Sequence, residues 1–165
     1  MSAGLSIRPG ATADAAAAGD IAVRAWQRVH DSYVIEMGEY IHGVVCKDWQ
    51  DKKRGEVLRV FLSPYSGEGK LIAEEEGVVV GFLTYAMDYV NKIGTIYNNA
   101  VEPGCSGRGV GTRMYEHVLA LFRDAGMVVA NVGTGLDEGH APARRAYEKA
   151  GFNVSVKSVA YYMTL

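Results

Sequence analysis

Cysteine is scarce in this chain, and its scarcity excludes two common ways of stabilising a small domain. Only Cys46 and Cys105 occur among the 165 residues, and their spacing is not that of zinc ligands. The sequence therefore predicts neither a disulfide framework nor a bound metal ion. We expect both thiols to be free.

Long apolar runs and a strong net charge are missing as well. Glycine or charged residues interrupt every nearly uncharged stretch, so no membrane-spanning segment is predicted. The N-terminus, MSAGLSIRPG, has no basic segment followed by an apolar one, so we expect a cytoplasmic protein. The formal charge of -2 gives no support to nucleic-acid binding.

The composition is that of an ordinary globular protein, with 48% hydrophobic and 22% charged residues. We expect a chain of this length to form one domain, residues 1–165, and to bury about 70% of the surface that its unfolded form would expose. Apolar spacing then predicts the elements along it. We expect strands at 5–8, at 71–90 as a hairpin that turns at Glu76-Gly77, at 92–101 and at 127–133. Helices are expected after Thr12, from Val110 to Gly126 and from Pro142 to Gly151. Further strands are expected within the terminal residues 152–165.

The segment from residue 33 to residue 62 is the least determined part. Its pattern predicts one or two short helices, followed by the loop SPYSGEGK. The side chains expected to point inward are Tyr40, Ile41, Val44, Val45 and Trp49. The whole order predicts a mixed α/β (α+β) fold, in which a mostly antiparallel central sheet is flanked by helices and a strand, glycine loop, helix unit lies at the centre.

That unit contains four glycines within eight residues, Gly104 to Gly111 in PGCSGRGVG. Glycine costs conformational entropy on folding, so the cluster needs a reason other than stability. Glycines just before a helix let an anion approach the unpaired first N–H groups, where the helix dipole is positive. A P-loop is excluded because Val110 stands where its lysine must be, and the spacing Gly-x-Gly-x-Gly fits a dinucleotide fingerprint poorly.

The flanks of the cluster match another pattern. Val101-x-Pro103 followed by SGRGVGT, residues 106–112, resembles the acetyl-CoA signature of the GNAT superfamily of N-acetyltransferases. Downstream, HAPARRAYEKAGF, residues 140–152, resembles the second conserved segment of that family. The two motifs stand in the family's order and separation, and the strand order is similar to its fold over essentially the whole chain.

The resemblance implies a binding site for acetyl-CoA as co-substrate, without a metal ion. Asn99, Ala100 and Val101 match the splayed strand end whose backbone pairs with the peptide-like pantetheine arm. The residues matching the pyrophosphate loop are Gly107, Arg108, Gly109, Val110, Gly111 and Thr112. Tyr147 matches the tyrosine that protonates the departing thiolate in many members, and His140 stands where an asparagine often contacts the cofactor near its sulfur.

Two departures from the family pattern stand out. Ser106 replaces the usual Arg or Gln at the start of the loop, and no carboxylate stands at the expected position of the general base. Asn98, Asn99 or Tyr97 could hold water for proton removal, and Asp88, Glu102, Asp137 and Glu138 are other candidates. Five acidic residues, Asp31, Glu36, Glu39, Asp88 and Asp137, suggest a mildly acidic acceptor site.

Each site residue also has a simpler interpretation. Tyr147 can be a packing residue of its helix, and His140 a helix cap or a solvated loop residue. Arg144, Arg145 and Lys149 can reach the 3'-phosphate of the cofactor or merely face solvent. Cys105 has no histidine tied to it by sequence, so we take it as incidental, and aromatic residues such as Trp26, Tyr33 and Trp49 are more typical of a core.

Three function classes follow. The first is an N-acetyltransferase acting by direct attack of a primary amine on a small molecule, a peptide N-terminus or a lysine. The second is a non-catalytic acyl-CoA-binding or sensor domain on the same fold, and the third is a nucleotide-binding enzyme, which the spacing tests disfavour. The superfamily resemblance and the apolar tail SVAYYMTL, residues 158–165, also suggest a homodimer.

Overall fold

The central sheet has the mixed topology that the sequence predicts. In the computed structural model the described residues are 4–64 and 67–165, so Tyr65 and Ser66 of the expected SPYSGEGK loop lie outside them. These described residues form a five-stranded sheet in the order β1-β2-β3-β4-β5, antiparallel except for the parallel pair β4 and β5. The strands are β1 (Ser6–Pro9), β2 (Gly69–Glu75), β3 (Val78–Asp88), β4 (Ile93–Val101) and β5 (Val129–Val132).

Helices cover both faces of this sheet because its buried strands are apolar on both sides. Successive residues of a strand point to opposite faces. The helices are α1 (Ala15–Val45), α2 (Trp49–Leu62), α3 (Val110–Asp124) and α4 (Ala141–Ala150). Because side chains alternate, Leu71 and Leu83 join the core cluster beneath α3, whereas Ile72 and Phe82 join the cluster beneath α1 and α2. No described helix combines the length and the hydrophobicity that crossing a membrane requires.

Helix α1 breaks at Gly38, and the break changes which side chains are buried. Gly38 has φ 80° and ψ 157°, a conformation that glycine adopts without steric cost. The prediction of inward-pointing side chains after this point was largely wrong, because Tyr40 is 72% and Val44 is 65% exposed. Val45 is also exposed, Ile41 is half-buried, and only Trp49 of the expected set is buried. Tyr40 and Val44 instead line a shallow groove together with residues 162–165.

The predicted terminal strands are not present. Residues 152–165 are all described, and none of them belongs to a strand. Val154 and Val156, whose alternation suggested a strand, are 87% and 97% exposed. An alternating sequence forms a strand only when a neighbouring strand pairs with it, and the described ladder of β5 runs to β4 alone.

Candidate active site

Strand β4 separates from β5 halfway along its length. The two strands pair only from Ile93 to Ile96, although β4 continues to Val101. An irregularity in the β3–β4 register falls at the same place, between Leu83 and Tyr85, and the buried hydroxyl of Thr84 accepts the N–H of Asn98 there at 3.1 Å. Such irregularities bend a strand. Backbone groups of β4 beyond Ile96 therefore face an open wedge on the side away from β3.

A cavity of about 690 Å³ occupies this wedge. The end of β4, the glycine loop, the first half of α1 and the start of α4 surround it. The predicted site residues that line it are Asn99, Ala100, Val101, Gly107, Gly109, Val110, Gly111, Thr112, His140 and Tyr147. Arg108 does not line it, since its guanidinium turns outward to the Glu75 carboxylate, 2.9 Å away. The structure thus brings together ten of the eleven residues.

The glycine loop presents backbone N–H groups to the cavity. Gly107 and Gly109 have φ of 79° and 84°, which side chains larger than hydrogen rarely allow. Helix α3 begins at Val110, and its first intrahelical bond runs from the Arg113 N–H to the Gly109 carbonyl at 3.0 Å. The preceding N–H groups of the first turn have no intrahelical acceptor and carry the positive end of the helix dipole. The loop can therefore bind an anionic group such as a phosphate.

Tyr147 is buried and shares Asn99 with a second tyrosine that the sequence did not single out. The Asn99 side-chain amide donates to the Tyr147 hydroxyl at 3.1 Å, and the Tyr115 hydroxyl donates to the Asn99 side-chain oxygen at 2.7 Å. The Tyr147 oxygen lies 3.3 Å from that same Asn99 oxygen, so Tyr115 is the closer donor to it. Burial raises the pKa of both phenols, which keeps both protonated at neutral pH. Tyr147 thus retains a proton that it can donate.

His140 forms a close pair with a carboxylate. Its Nδ1 lies 2.5 Å from Oδ1 of Asp137, a residue that is only 7% exposed. Burial alone raises the pKa of Asp137, but the hydrogen bond and charge of His140 and a hydrogen bond from Ser32 outweigh it, so the net shift is downward. Asp137 therefore stays ionised and fixes the imidazole by Nδ1. The other ring nitrogen, Nε2, is left to act toward the cavity that His140 lines.

Cationic side chains surround the cavity. Arg145 and Lys149 of α4 line it, whereas Arg144 donates to the carbonyls of Gly135 and Asp137, both at 2.7 Å, and so holds the loop before α4. Arg144 is thus tied to backbone carbonyls, and contact of Arg145 and Lys149 with the 3'-phosphate of the cofactor stays a prediction.

The expected acidic acceptor site is only partly assembled. Asp31 lines the cavity and accepts from Gln27 at 2.8 Å, but the Asp88 carboxylate accepts the N–H groups of Val90 and Asn91 and so stabilises the turn after β3. The exposed side chains of Glu36 and Glu39 do not line the cavity. Of the aromatic group, Trp26 lines the cavity, while Trp49 is buried against His30.

The family model described as "Acetyltransferase (GNAT) family" matches residues 26–152. The chain belongs to this family. Together with the fold, GNAT membership makes it an acetyl-CoA-dependent acetyltransferase. The matched segment extends from Trp26 in α1, through the glycine loop, to Phe152 just after α4.

Several solved structures share the GNAT fold with this chain at low identity. PaiA N-acetyltransferase from Thermoplasma acidophilum, solved with coenzyme A, is 15% identical with a TM-score of 0.68, over 93% of this chain and 92% of that one. The aminoglycoside acetyltransferase meta-AAC0020 from an uncultured soil metagenomic sample, solved with sisomicin, is 18% identical with a TM-score of 0.61, over 98% and 96%. A mutant BH1408 protein from Bacillus halodurans is 12% identical with a TM-score of 0.70, over 96% and 99%. No curated protein matches this sequence.

Proposed function

We propose that the protein transfers an acetyl group from acetyl-CoA to the nitrogen of a primary amine by direct attack. The acceptor is a small molecule, a peptide N-terminus or a lysine side chain. The observation that carries this proposal is a single cavity shared by an open strand edge, the unpaired amides of a helix start and the buried hydroxyl of Tyr147.

Different parts of the cavity suit the pantetheine arm, the pyrophosphate and the 3'-phosphate of acetyl-CoA. The open edge of β4 from Tyr97 to Val101 can pair with the peptide-like pantetheine arm as another strand would. The amides of the first turn of α3 can hold the pyrophosphate, and Arg145 and Lys149, which line the cavity, would bind the 3'-phosphate. These contacts are mostly to backbone, so Ser106 in place of Arg or Gln costs at most one side-chain contact.

His140 is our candidate for the general base that the sequence left unassigned. Its Nδ1 is held by the ionised Asp137, so Nε2 can accept the proton that the attacking amine must lose. The new bond forms between the amine nitrogen and the acetyl carbon. This role extends the family-based expectation that His140 contacts the cofactor.

Tyr147 is our candidate for the general acid. As the carbon–sulfur bond breaks, the Tyr147 hydroxyl gives its proton to the leaving thiolate, while the Asn99 amide that donates to the same hydroxyl stabilises the phenolate left behind. Backbone N–H groups at the end of β4 can polarise the thioester carbonyl. The transfer itself requires no metal ion.

The acceptor enters, in this proposal, from the side of α1. Trp26 and Asp31 line that side of the cavity. The Lys53 ammonium already lies over the Trp26 ring, 4.3 Å from its centroid, so the Asp31 carboxylate is the group that favours a cationic amine there. The related meta-AAC0020, which was solved with sisomicin, acts on aminoglycosides by its name. We therefore place aminoglycosides and polyamines first among the acceptors to be tested.

A homodimer remains part of the proposal. Tyr161 and Met163 of the tail are 91% and 77% exposed, and an exposed apolar segment of this kind favours association with a second copy. The expectation of a cytoplasmic protein also stands as a prediction.

The test is turnover with product identification. Purified protein is mixed with acetyl-CoA and, separately, with polyamines, aminoglycosides, amino acids and short peptides, while free thiol release is followed and products are identified by mass. We expect amine-dependent thiol release and an N-acetylated product for at least one acceptor class. Tight CoA binding without turnover on any acceptor would instead favour the sensor domain.

A further inference from the structure

Three potential metal ligands meet at the bend of helix α1. They are His30, His42 and Cys46, and each offers one ligand atom within 4.8 Å of the other two. Nδ1 of His30 lies 3.0 Å from Nε2 of His42. This cluster lies outside the set of residues that line the acetyl-transfer cavity.

The fold brings these residues together through the break at Gly38. His42 and Cys46 are four residues apart, and this spacing places two side chains on the same face of a helix. His30 lies twelve residues before His42, and in a straight helix the two rings would be about 18 Å apart along the axis. Because Gly38 redirects the chain, the second half of α1 returns His42 to His30. The sequence could not reveal this meeting.

The donor atoms match the preferences of a borderline divalent cation. Zinc binds imidazole nitrogen at about 2.0–2.1 Å and thiolate sulfur at about 2.3 Å in tetrahedral geometry. Two nitrogens bound in this way lie about 3.3 Å apart, close to the observed 3.0 Å. The two histidine nitrogens therefore need to move by only a few tenths of an ångström to bind one ion, and the Cys46 sulfur lies within 4.8 Å of the cluster's other ligand atoms.

The surroundings prepare these side chains for binding. His30 is 9% exposed, and its ring stacks on the buried Trp49 with centroids 3.9 Å apart. A bound divalent cation deprotonates a coordinating thiol, so Cys46 would bind as the thiolate.

We propose that His30, His42 and Cys46 form a site for one zinc-like divalent ion, with a fourth position open to water. The ion would hold the bend of α1 in place. The first half of α1 lines the acetyl-transfer cavity, and Tyr33, one turn after His30, lies 6.1 Å from the His140 ring between centroids. A metal ion would therefore stiffen one wall of the active site. The proposal itself depends only on the cluster and is independent of the acetyl-transfer reaction.

The test uses Co²⁺ as a spectroscopic substitute for Zn²⁺ on the metal-stripped, full-length protein. We expect one equivalent to bind with the intense visible absorption of a tetrahedral site and a thiolate-to-cobalt charge-transfer band. Zn²⁺ should displace it, and excess Zn²⁺ should raise the Tm of the wild-type protein. Cys46→Ser should abolish the charge-transfer band, and His42→Ala should weaken Co²⁺ binding about 100-fold or more.

Two controls match these variants. Cys105→Ser removes the other thiol and His117→Ala removes a half-buried histidine outside the cluster, and both should bind Co²⁺ as the wild type does. Circular dichroism would check that every variant is folded, and Cys46→Ser, which exchanges a single atom, is the safest of them. The proposal is overturned if the wild type binds no stoichiometric Co²⁺ or Zn²⁺, or if the charge-transfer band survives Cys46→Ser.

Discussion

Replacing Tyr147 with phenylalanine tests the proposed acid step with little disturbance of packing. The ring is 6% exposed and lies against Tyr115 and Phe152, and phenylalanine retains those contacts. The variant loses one neutral hydrogen bond to Asn99, which stabilises the fold by about 0.5–1.5 kcal/mol. Loss of a general acid, in contrast, lowers kcat by about 10²–10⁴-fold, or about 3–5 kcal/mol in the barrier. The two roles therefore predict effects of clearly different size.

Tyr115→Phe is the matched control. It removes a hydroxyl that is also buried and also bonded to Asn99, but whose proton is already given to the Asn99 oxygen at 2.7 Å. We expect both variants to lose similar stability in urea denaturation, while Tyr147→Phe alone loses about 10²-fold or more in kcat. The KM for acetyl-CoA should change little in either. Equal losses of kcat in the two variants would refute the assignment of the acid to Tyr147.

Three further predictions concern the general base, the stability of the fold at low pH and the binding of the 3'-phosphate of CoA. His140→Gln should lower kcat about 10²-fold or more at neutral pH, and Asp137→Asn should have a smaller effect in the same direction, both measured by thiol release. The hydrogen bond from Arg8 is the main cause that lowers the pKa of Asp14 in the folded protein. The Asp14 carboxylate therefore stabilises the fold fully at pH values above its unfolded pKa of about 3.9. This stabilisation is lost as the pH falls through the pKa of Asp14 in the folded protein. Asp14→Asn should accordingly cost about 1–3 kcal/mol in urea denaturation at pH 7, and progressively less as the pH falls below about 3.9. Arg145→Ala should weaken CoA binding about 10-fold by calorimetry but leave 3'-dephospho-CoA binding unchanged.

Each of these has a contrary outcome. A wild-type kcat in His140→Gln would show that His140 is not the general base. A stability loss from Asp14→Asn that is the same at pH 3 as at pH 7 would mean that its ion pair with Arg8, at 2.8 Å, contributes nothing through charge. Equal weakening of CoA and 3'-dephospho-CoA by Arg145→Ala would place that side chain on another part of the cofactor.

Local patterns predicted the elements whose structure depends on nearby residues. The turn at Glu76-Gly77, the start of α3 at Val110 and the end of α4 before Gly151 all follow from backbone preferences that can be read over a few residues. The resemblance to the GNAT superfamily implied the site residues, and all of them except Arg108 line the cavity.

Features that depend on distant contacts were missed. Tyr115 lies within the predicted helix α3, but only the fold shows that its hydroxyl reaches Asn99. Asp137 and His140 are three residues apart, so the sequence could have suggested that they pair. Only the fold shows that Asp137 is buried, that Ser32 donates to it and that the pair lies beside the cavity. The exposed Tyr40 and Val44 were misjudged because Gly38 breaks the helix, and a single glycine within an apolar periodic segment does not reveal where the chain turns.

The most direct test of the whole account is a calorimetric titration of CoA into the wild type and into Gly109→Val and Gly104→Val. Gly109 has φ 84° at the start of α3, so valine there strains the loop and obstructs its amides, whereas Gly104 lies in the same segment without a positive φ and outside the cavity lining. We predict one CoA site per chain in the wild type and in Gly104→Val, and no measurable binding in Gly109→Val. Native affinity in Gly109→Val, or no binding to the wild type, would contradict the assignment of the glycine loop as the CoA site.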